Sequence, residues 1–249
     1  MILDAFRLDG KVALVTGASR GLGASIAIGL AEAGADVAIV ARGGLEKTAA
    51  AIEALGRKVV MIPADLSNPK EAVPQIMAKV MTEFGRVDIL LNGAGIIRRQ
   101  PALEFSDENW DDVMQVNLNA PFLLSRAAAK EMAKQGSGKI INIASVLSFQ
   151  GGFYVTSYTT SKAGIAGLTK AQSNEFAPMG IQVNAIAPGY MATDMTEALQ
   201  KDQERGKDIL ARIPAARWGN GKDLQDKTVF LASQASNYIN GHILAVDGG

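Results

Sequence analysis

Cysteine is absent from the 249 residues, which excludes disulfides, zinc–thiolate sites and a cysteine nucleophile. Histidine occurs once, as His242. A histidine-dependent catalytic triad or a histidine-rich metal site is therefore not expected, and no metal ligand is assigned. His242 lies beside the apolar run Ile243–Val246 and reads as a surface or subunit-contact residue. No charge of one sign dominates, since 25 basic residues face 25 acidic ones. Without a basic stripe or tail, nucleic acid is not an expected partner. No apolar run reaches the roughly 20 residues needed to span a bilayer. The start, Met1-Ile-Leu-Asp-Ala-Phe-Arg7, has neither the basic segment nor the apolar run of an export signal. These absences make a cytoplasmic protein without a membrane partner the expectation.

Hydrophobic residues make up 48% of the chain, enough for a sizeable core. Short β-branched runs at Val12–Thr16, Asp36–Ala41, Lys58–Pro63, Val87–Asn92, Gly138–Ala144, Ile181–Ala187 and His242–Val246 predict strands. Most are continuously apolar, as suits strands covered on both faces. Helix-patterned segments lie between them at Leu22–Ala33, Leu45–Leu55, Pro69–Phe84, Asn109–Lys134, Thr156–Ala177 and Lys222–Ala232. This alternation predicts an α/β fold with a doubly wound parallel sheet, as one Rossmann-type domain over residues 1–249. Ligands of such sheets bind outside the carboxyl ends of the strands.

The first strand runs into Thr16-Gly-Ala-Ser-Arg-Gly-Leu-Gly23, with Gly17, Gly21 and Gly23 spaced Gly-x3-Gly-x-Gly. Glycine lets a chain adopt a tight turn and come close to a pyrophosphate. The helix beginning at Leu22 turns its N–H groups and positive dipole end toward that anion. Ser19, Arg20, Gly21 and Leu22 belong to the same turn, and the loop predicts a dinucleotide site. A carboxylate at the end of the second strand would bond the adenosine ribose and favour NAD. Ala41-Arg42 stands there instead. Arg42, joined by Arg20, suits a 2′-phosphate through bidentate hydrogen bonding, so the cofactor reading is NAD(P)(H), leaning to NADP(H). Asp65 and Leu66 after the third strand are placed at the adenine. Asn92 and Ala94, in Asn92-Gly-Ala-Gly95, are placed at the adenosine ribose. Pro188, Gly189 and Thr193, in Pro188-Gly-Tyr-Met-Ala-Thr193, are placed at the nicotinamide carboxamide.

Tyr158-Thr-Thr-Ser-Lys162 puts a tyrosine and a lysine one turn apart on a helix face. A phenol of pKa about 10 is a poor base at neutral pH, and a nearby ammonium lowers that value. The lysine also suits the nicotinamide ribose. Ser145, at the carboxyl edge of its strand, is placed to donate to a substrate carbonyl as negative charge develops there. Asn117 is an unfavoured residue inside a helix pattern and suits holding a water that links Lys162 to solvent. An ordinary polar helix pair and a packing asparagine are the plainer readings of the same residues. The polar segment Glu197–Asp208 reads as a cover over the site or as a solvated helix.

Thr16–Gly23, Asn92–Gly95, Asn117, Ser145, Tyr158 with Lys162, and Pro188-Gly189 follow one another in the order of the short-chain dehydrogenase/reductase family, which the whole chain resembles. The resemblance implies a seven-stranded parallel sheet, a catalytic tetrad of Asn117, Ser145, Tyr158 and Lys162, and a homotetramer. The family usually has Asn-Asn-Ala-Gly where this chain has Gly93 in the second position, a change that removes one side-chain amide. Gly95-Ile-Ile-Arg-Arg99, Ile143–Gly152, Ala187–Thr193 and Ile213–Trp218 are similar to the 2-deoxy-D-gluconate 3-dehydrogenase group of that family. That group acts on keto-deoxy sugar acids such as 2-dehydro-3-deoxy-D-gluconate and often uses NAD(H), against the lean to NADP(H) from Arg42. A sugar acid needs a carboxylate partner and hydroxyl partners. Arg98, Arg99, Gln150 and Tyr190, with Ser145 and Tyr158, are the expected substrate residues. A 3-oxoacyl or general carbonyl reductase remains an alternative, and a non-catalytic NADP(H)-binding sensor a remoter one.

Overall fold

Seven apolar runs fold as seven strands in the computed structural model, which describes residues 1–194 and 196–249. They are β1 (Val12–Thr16), β2 (Asp36–Ala41), β3 (Val59–Pro63), β4 (Ile89–Asn92), β5 (Gly138–Ile143), β6 (Ile181–Pro188) and β7 (Ile243–Val246). Every neighbouring pair is parallel, and the order across the sheet is β3-β2-β1-β4-β5-β6-β7. The helices are α1 (Gly21–Glu32), α2 (Glu46–Glu53), α3 (Pro69–Phe84), α4 (Asp107–Met114), α5 (Ala120–Gln135), α6 (Thr156–Phe176), α7 (Glu197–Lys201), α8 (Gln203–Ala211) and α9 (Lys222–Ala232). No described helix is long and apolar enough to cross a membrane.

The apolar strands are continuous because both faces are covered. Ala13, Val15, Val37, Ile39, Leu91 and Ile141 point to one side, against Ile26 and Leu30 of α1 and Leu224 and Leu231 of α9. Leu14, Ala38, Val40, Leu90 and Ile140 point to the other, against Ile76 and Val80 of α3 and Leu124 and Ala128 of α5. A smaller cluster seats Ile165 of α6 on Ala144, Ala185 and Ala187. The strand order reverses between β1 and β4. At that switch the loops after two neighbouring strands part and leave a crevice at the carboxyl edge.

The single helix expected over Asn109–Lys134 is not formed. A π-helical stretch, Gln115–Asn119, separates α4 from α5. Its hydrogen bonding skips one extra residue, with the Ala120 N–H donating to the Gln115 carbonyl. Pro121 explains the break, because it has no N–H to donate to Asn117 four residues back. The extra residue sets Asn117 into the interior, where it is 1% exposed. The polar segment after Glu197 forms two short helices, α7 and α8.

A buried polar ladder ties the layers together behind the crevice. Asn92 Nδ2 donates to Ser125 Oγ (3.0 Å) and to Asn142 Oδ1 (2.8 Å). Asn142 Nδ2 donates to Thr169 Oγ1 (2.9 Å) on α6. Polar groups buried this deeply fix one register of helix on strand, since a slip would leave them unpaired.

Candidate active site

The crevice begins at the turn after β1. Gly17 has a φ of +74°, and a Cβ there would lie 2.8 Å from the backbone of Ala94. A Cβ on Gly23 would lie 2.2 Å from the Gly17 carbonyl oxygen. Only glycine allows this packing. Thr16 fastens the opposite wall: its Oγ1 accepts the Gly93 (3.1 Å) and Ala94 (3.2 Å) N–H groups. Thr48 Oγ1 of α2 donates to the Ala18 carbonyl (2.8 Å) from the other side. No side chain caps the N-terminus of α1 at Arg20. Its first N–H groups therefore suit an external anion, and this turn fits a dinucleotide pyrophosphate. Thr193 approaches the same mouth, with its Cγ2 3.9 Å from where a Gly21 Cβ would stand. Gly189 donates its N–H to the Val246 carbonyl (3.0 Å), which fixes the end of β6 after the buried Pro188.

Other expected cofactor residues are distributed unevenly. Arg42 is exposed just beyond β2. Arg20 is exposed too, and its guanidinium reaches Asp194 Oδ2 at 3.3 Å rather than standing alone. Asp65 is exposed and accepts the Ser67 N–H (2.9 Å). Leu66 is buried, 6% exposed, within the core beneath that loop. Asn92 needs a correction: its side chain turns into the polar ladder and is 3% exposed. The amide is used to hold β4 to β5 and α5, so only its backbone borders the crevice.

The four candidate catalytic residues come from three places. Ser145 follows β5 and caps a three-residue 3-10 turn, Val146–Ser148, with Oγ accepting the Leu147 N–H (3.1 Å). Tyr158 and Lys162 sit one turn apart on α6, and the Ser145 hydroxyl lies close enough to Tyr158 to pull its pKa down. Lys162 Nζ lies 5.6 Å from the Tyr158 ring centroid and donates to the Ile143 carbonyl (2.5 Å). Asn117 exchanges both of its amide bonds with the Ile96 backbone (2.8 and 2.9 Å) and donates to Ser161 Oγ (3.1 Å). Gly95 separates it from the lysine. A Cβ there would be 3.5 Å from Asn117 Oδ1 and 3.8 Å from Lys162 Nζ.

At the rim the two arginines part company. Arg98 Nη2 donates to Asp112 Oδ2 of α4 (3.0 Å), so its charge is already matched. Arg99 is exposed, and its positive charge is felt at Tyr158. Gln150 is exposed on the loop after the 3-10 turn. Tyr190 packs edge-on against Trp218, with ring centroids 5.6 Å apart.

Among known proteins, the short chain dehydrogenase family matches residues 11–204. This chain belongs to the short-chain dehydrogenase family. Over 250 residues it is 53% identical to the 2-dehydro-3-deoxy-D-gluconate 5-dehydrogenase of Dickeya dadantii, covering 100% of this chain and 98% of that one. The crystal structure of a gluconate 5-dehydrogenase from Burkholderia cenocepacia, in complex with NADP and tartrate, superimposes with a TM-score of 0.94. Its identity is 39%, over 100% of this chain and 98% of the other. An Agrobacterium tumefaciens protein solved with bound NADP gives a TM-score of 0.93 at 50% identity, over 99% and 98% of the two chains.

In this short-chain dehydrogenase the electrostatics oppose one another. Burial lowers the Lys162 pKa to about 8. Burial is also the largest influence on Tyr158 and holds its phenol above the usual tyrosine value, against smaller downward pulls from the Ser145 hydroxyl and the Arg99 charge. An ammonium at the Lys162 position, 5.6 Å from the ring centroid, would favour the phenolate as those two do. Ser161, Ser148 and Thr48, and the bonds made by the Thr16 hydroxyl, were not foreseen as part of the site. Each of these is a hydroxyl residue with at least one partner distant in sequence, so spacing alone gives little signal. Ser161 is the nearest to an exception, standing three residues after Tyr158 with its Oγ on the Tyr158 carbonyl (2.8 Å).

Removing the phenol oxygen leaves the ring packing intact. Tyr158→Phe is expected to lower turnover by about 10²–10⁴-fold, the usual contribution of a positioned acid or base, with cofactor binding retained. Steady-state turnover and fluorescence titration with the nicotinamide cofactor check this, and a loss below about tenfold would remove Tyr158 from the reaction.

Proposed function

We propose that this oxidoreductase interconverts a secondary alcohol and a ketone on a deoxy keto sugar acid such as 2-dehydro-3-deoxy-D-gluconate, with NADP(H) as the cofactor. The observation that carries the substrate reading is the exposed Arg99 at the mouth of the tetrad, with its charge acting on Tyr158 while Arg98 is taken by Asp112. A guanidinium there suits a carboxylate through two parallel hydrogen bonds. The Dickeya dadantii relative, named for 2-dehydro-3-deoxy-D-gluconate, supports the same substrate class. The NADP in the Burkholderia cenocepacia complex and the exposed Arg42 after Ala41 support the cofactor. Gln150 and Tyr190 are assigned to the substrate hydroxyls.

When bound, the nicotinamide supplies or takes up the hydride. The residues of the chain handle the proton and the oxygen. Ser145 donates to the carbonyl oxygen as it gains negative charge. Tyr158 gives its phenol proton to that oxygen in reduction, and its phenolate takes the alcohol proton in oxidation. Lys162 favours the phenolate and holds the cofactor ribose. Asn117, through the π-helical stretch, borders the route by which Lys162 exchanges protons with solvent. The segment Glu197–Asp208, which runs through α7 into α8, is assigned as the cover. Its two stems are tied by hydrogen bonds from Gly219 N to Tyr190 O (3.0 Å) and from Ala192 N to Gly219 O (2.7 Å). The half-exposed edge strand β7 and the neighbouring exposed Tyr238 suit subunit contacts. The protein is accordingly assigned as a cytoplasmic homotetramer.

Two variants test the assignment. Ala41→Asp places a carboxylate where it accepts from the ribose 2′-hydroxyl and repels a 2′-phosphate. The ratio of kcat/KM with NADPH to that with NADH is expected to fall by more than tenfold, roughly the scale of one charged hydrogen bond. An unchanged ratio assigns Arg42 to solvent. Arg99→Ala is expected to raise KM for the keto sugar acid by roughly tenfold to a hundredfold, relative to a matched neutral ketone. Equal losses on both substrates would assign Arg99 to structure and remove the carboxylate contact.

A further inference from the structure

Ser148 closes a ring of hydrogen bonds around the reacting groups. Its Oγ donates to the Lys162 carbonyl of α6 (2.7 Å) and accepts the Ser145 N–H (3.3 Å). The Ser148 N–H donates in turn to the Ser145 carbonyl (2.8 Å). On the far side of the same turn, Lys162 Nζ donates to the Ile143 carbonyl, two residues before Ser145. The lysine is thus bound at its carbonyl and at its amine to one short stretch of chain, Ile143–Ser148. Ser145 is held at its N–H by Ser148 and at its Oγ by Leu147. Tyr158, one turn before Lys162, has the Ser145 hydroxyl beside it across this ring.

We infer that Ser148 is a positioning residue for the reaction, clamping the Ser145 turn to α6 so that the Ser145 hydroxyl keeps its place beside Tyr158. The inference rests on the tetrad doing the proton transfer proposed above, though not on which carbonyl compound is the substrate. Ser148 touches neither Tyr158 nor the reacting carbon, and it acts through Ser145 and Lys162. Only a side chain that donates and accepts at once fills the position. The donor goes to a helix carbonyl and the acceptor to a backbone N–H. Without the hydroxyl the turn is anchored to α6 at one point fewer. A small displacement of Ser145 then weakens its pull on the phenol and on the carbonyl oxygen.

Threonine keeps the hydroxyl at this position, and valine matches threonine in shape without it. Ser148→Ala and Ser148→Val are expected to lower kcat by about tenfold, with KM and cofactor affinity within about twofold. The loss of the Ser145 hydroxyl's downward pull raises the Tyr158 pKa. The acid limb of the pH profile for alcohol oxidation is expected to move up by roughly half to one pH unit. Ser148→Thr restores both the rate and the limb. Wild-type turnover on the keto sugar acid is measured first. If it fails, the substrate reading falls, and the same series is run on whichever ketone of a wider panel the wild type reduces. Amide hydrogen exchange over Ile143–Ser148 supplies a readout independent of substrate. It is expected to quicken in the alanine and valine variants and to return to wild type with threonine. The clamp is overturned if valine and threonine behave alike in rate, pH limb and exchange, or if only stability changes.

Discussion

Lys162 carries its amine into the interior beneath Tyr158, where burial lowers its pKa to about 8 and the Ile143 carbonyl takes its hydrogen bond. A buried amine of this kind is tolerated only where the surrounding backbone is rigid and its hydrogen bonds are met. The rest of the site answers to that requirement. The ladder from Asn92 through Asn142 to Thr169 holds α6 in register on β5, one residue from the strand end that receives the amine. Ser148 binds the lysine carbonyl. The π-helical stretch brings Asn117 to Gly95, where a Cβ would meet both the Asn117 Oδ1 and the Lys162 nitrogen. Each of these features makes sense as support for one charge held next to one phenol.

The opposite wall of the crevice meets an anion rather than a cation. The uncapped start of α1 and the close contact of Gly17 with Ala94 form a backbone surface into which a side chain would not fit. Phosphate recognition there needs no charged group at the pyrophosphate itself. The charges stand further out, at Arg42 and at Arg20, and the Arg20–Asp194 pair links the glycine turn to the chain after β6. The pair is exposed on both sides, so it adds little stability and is open to competition from a phosphate. Arg99 places a further positive charge near Tyr158, on the other side of the tetrad.

Most of the architecture was legible in the sequence because buried parallel strands are written as unbroken apolar runs. All seven runs fold as strands, and the parallel doubly wound sheet is as expected. The break at Gln115–Asn119 was hidden, since one missing N–H at Pro121 leaves the apolar periodicity on both sides nearly unchanged. Tyr158, Lys162 and Ser145 stood out as candidates because their chemistry is unusual for their positions, and the fold brings them close together. The inward turn of Asn92 was not visible, because a strand-end asparagine reads the same whether its amide faces a ligand or Asn142. The same limit applies to the arginines: adjacent in sequence, Arg98 and Arg99 are told apart only by Asp112, which α4 brings to one of them.

The central claim is that the buried Lys162 charge makes Tyr158 a usable proton carrier near neutral pH. The most direct test is the pH dependence of alcohol oxidation at saturating cofactor, compared between the wild type and Lys162→Met. The account predicts that the wild type gains activity through an apparent pKa at least about one unit below the ordinary tyrosine value of about 10. It also predicts that the residual activity of the variant rises only at higher pH. A wild-type transition at about 10 or above, or a variant whose transition does not move, would contradict it.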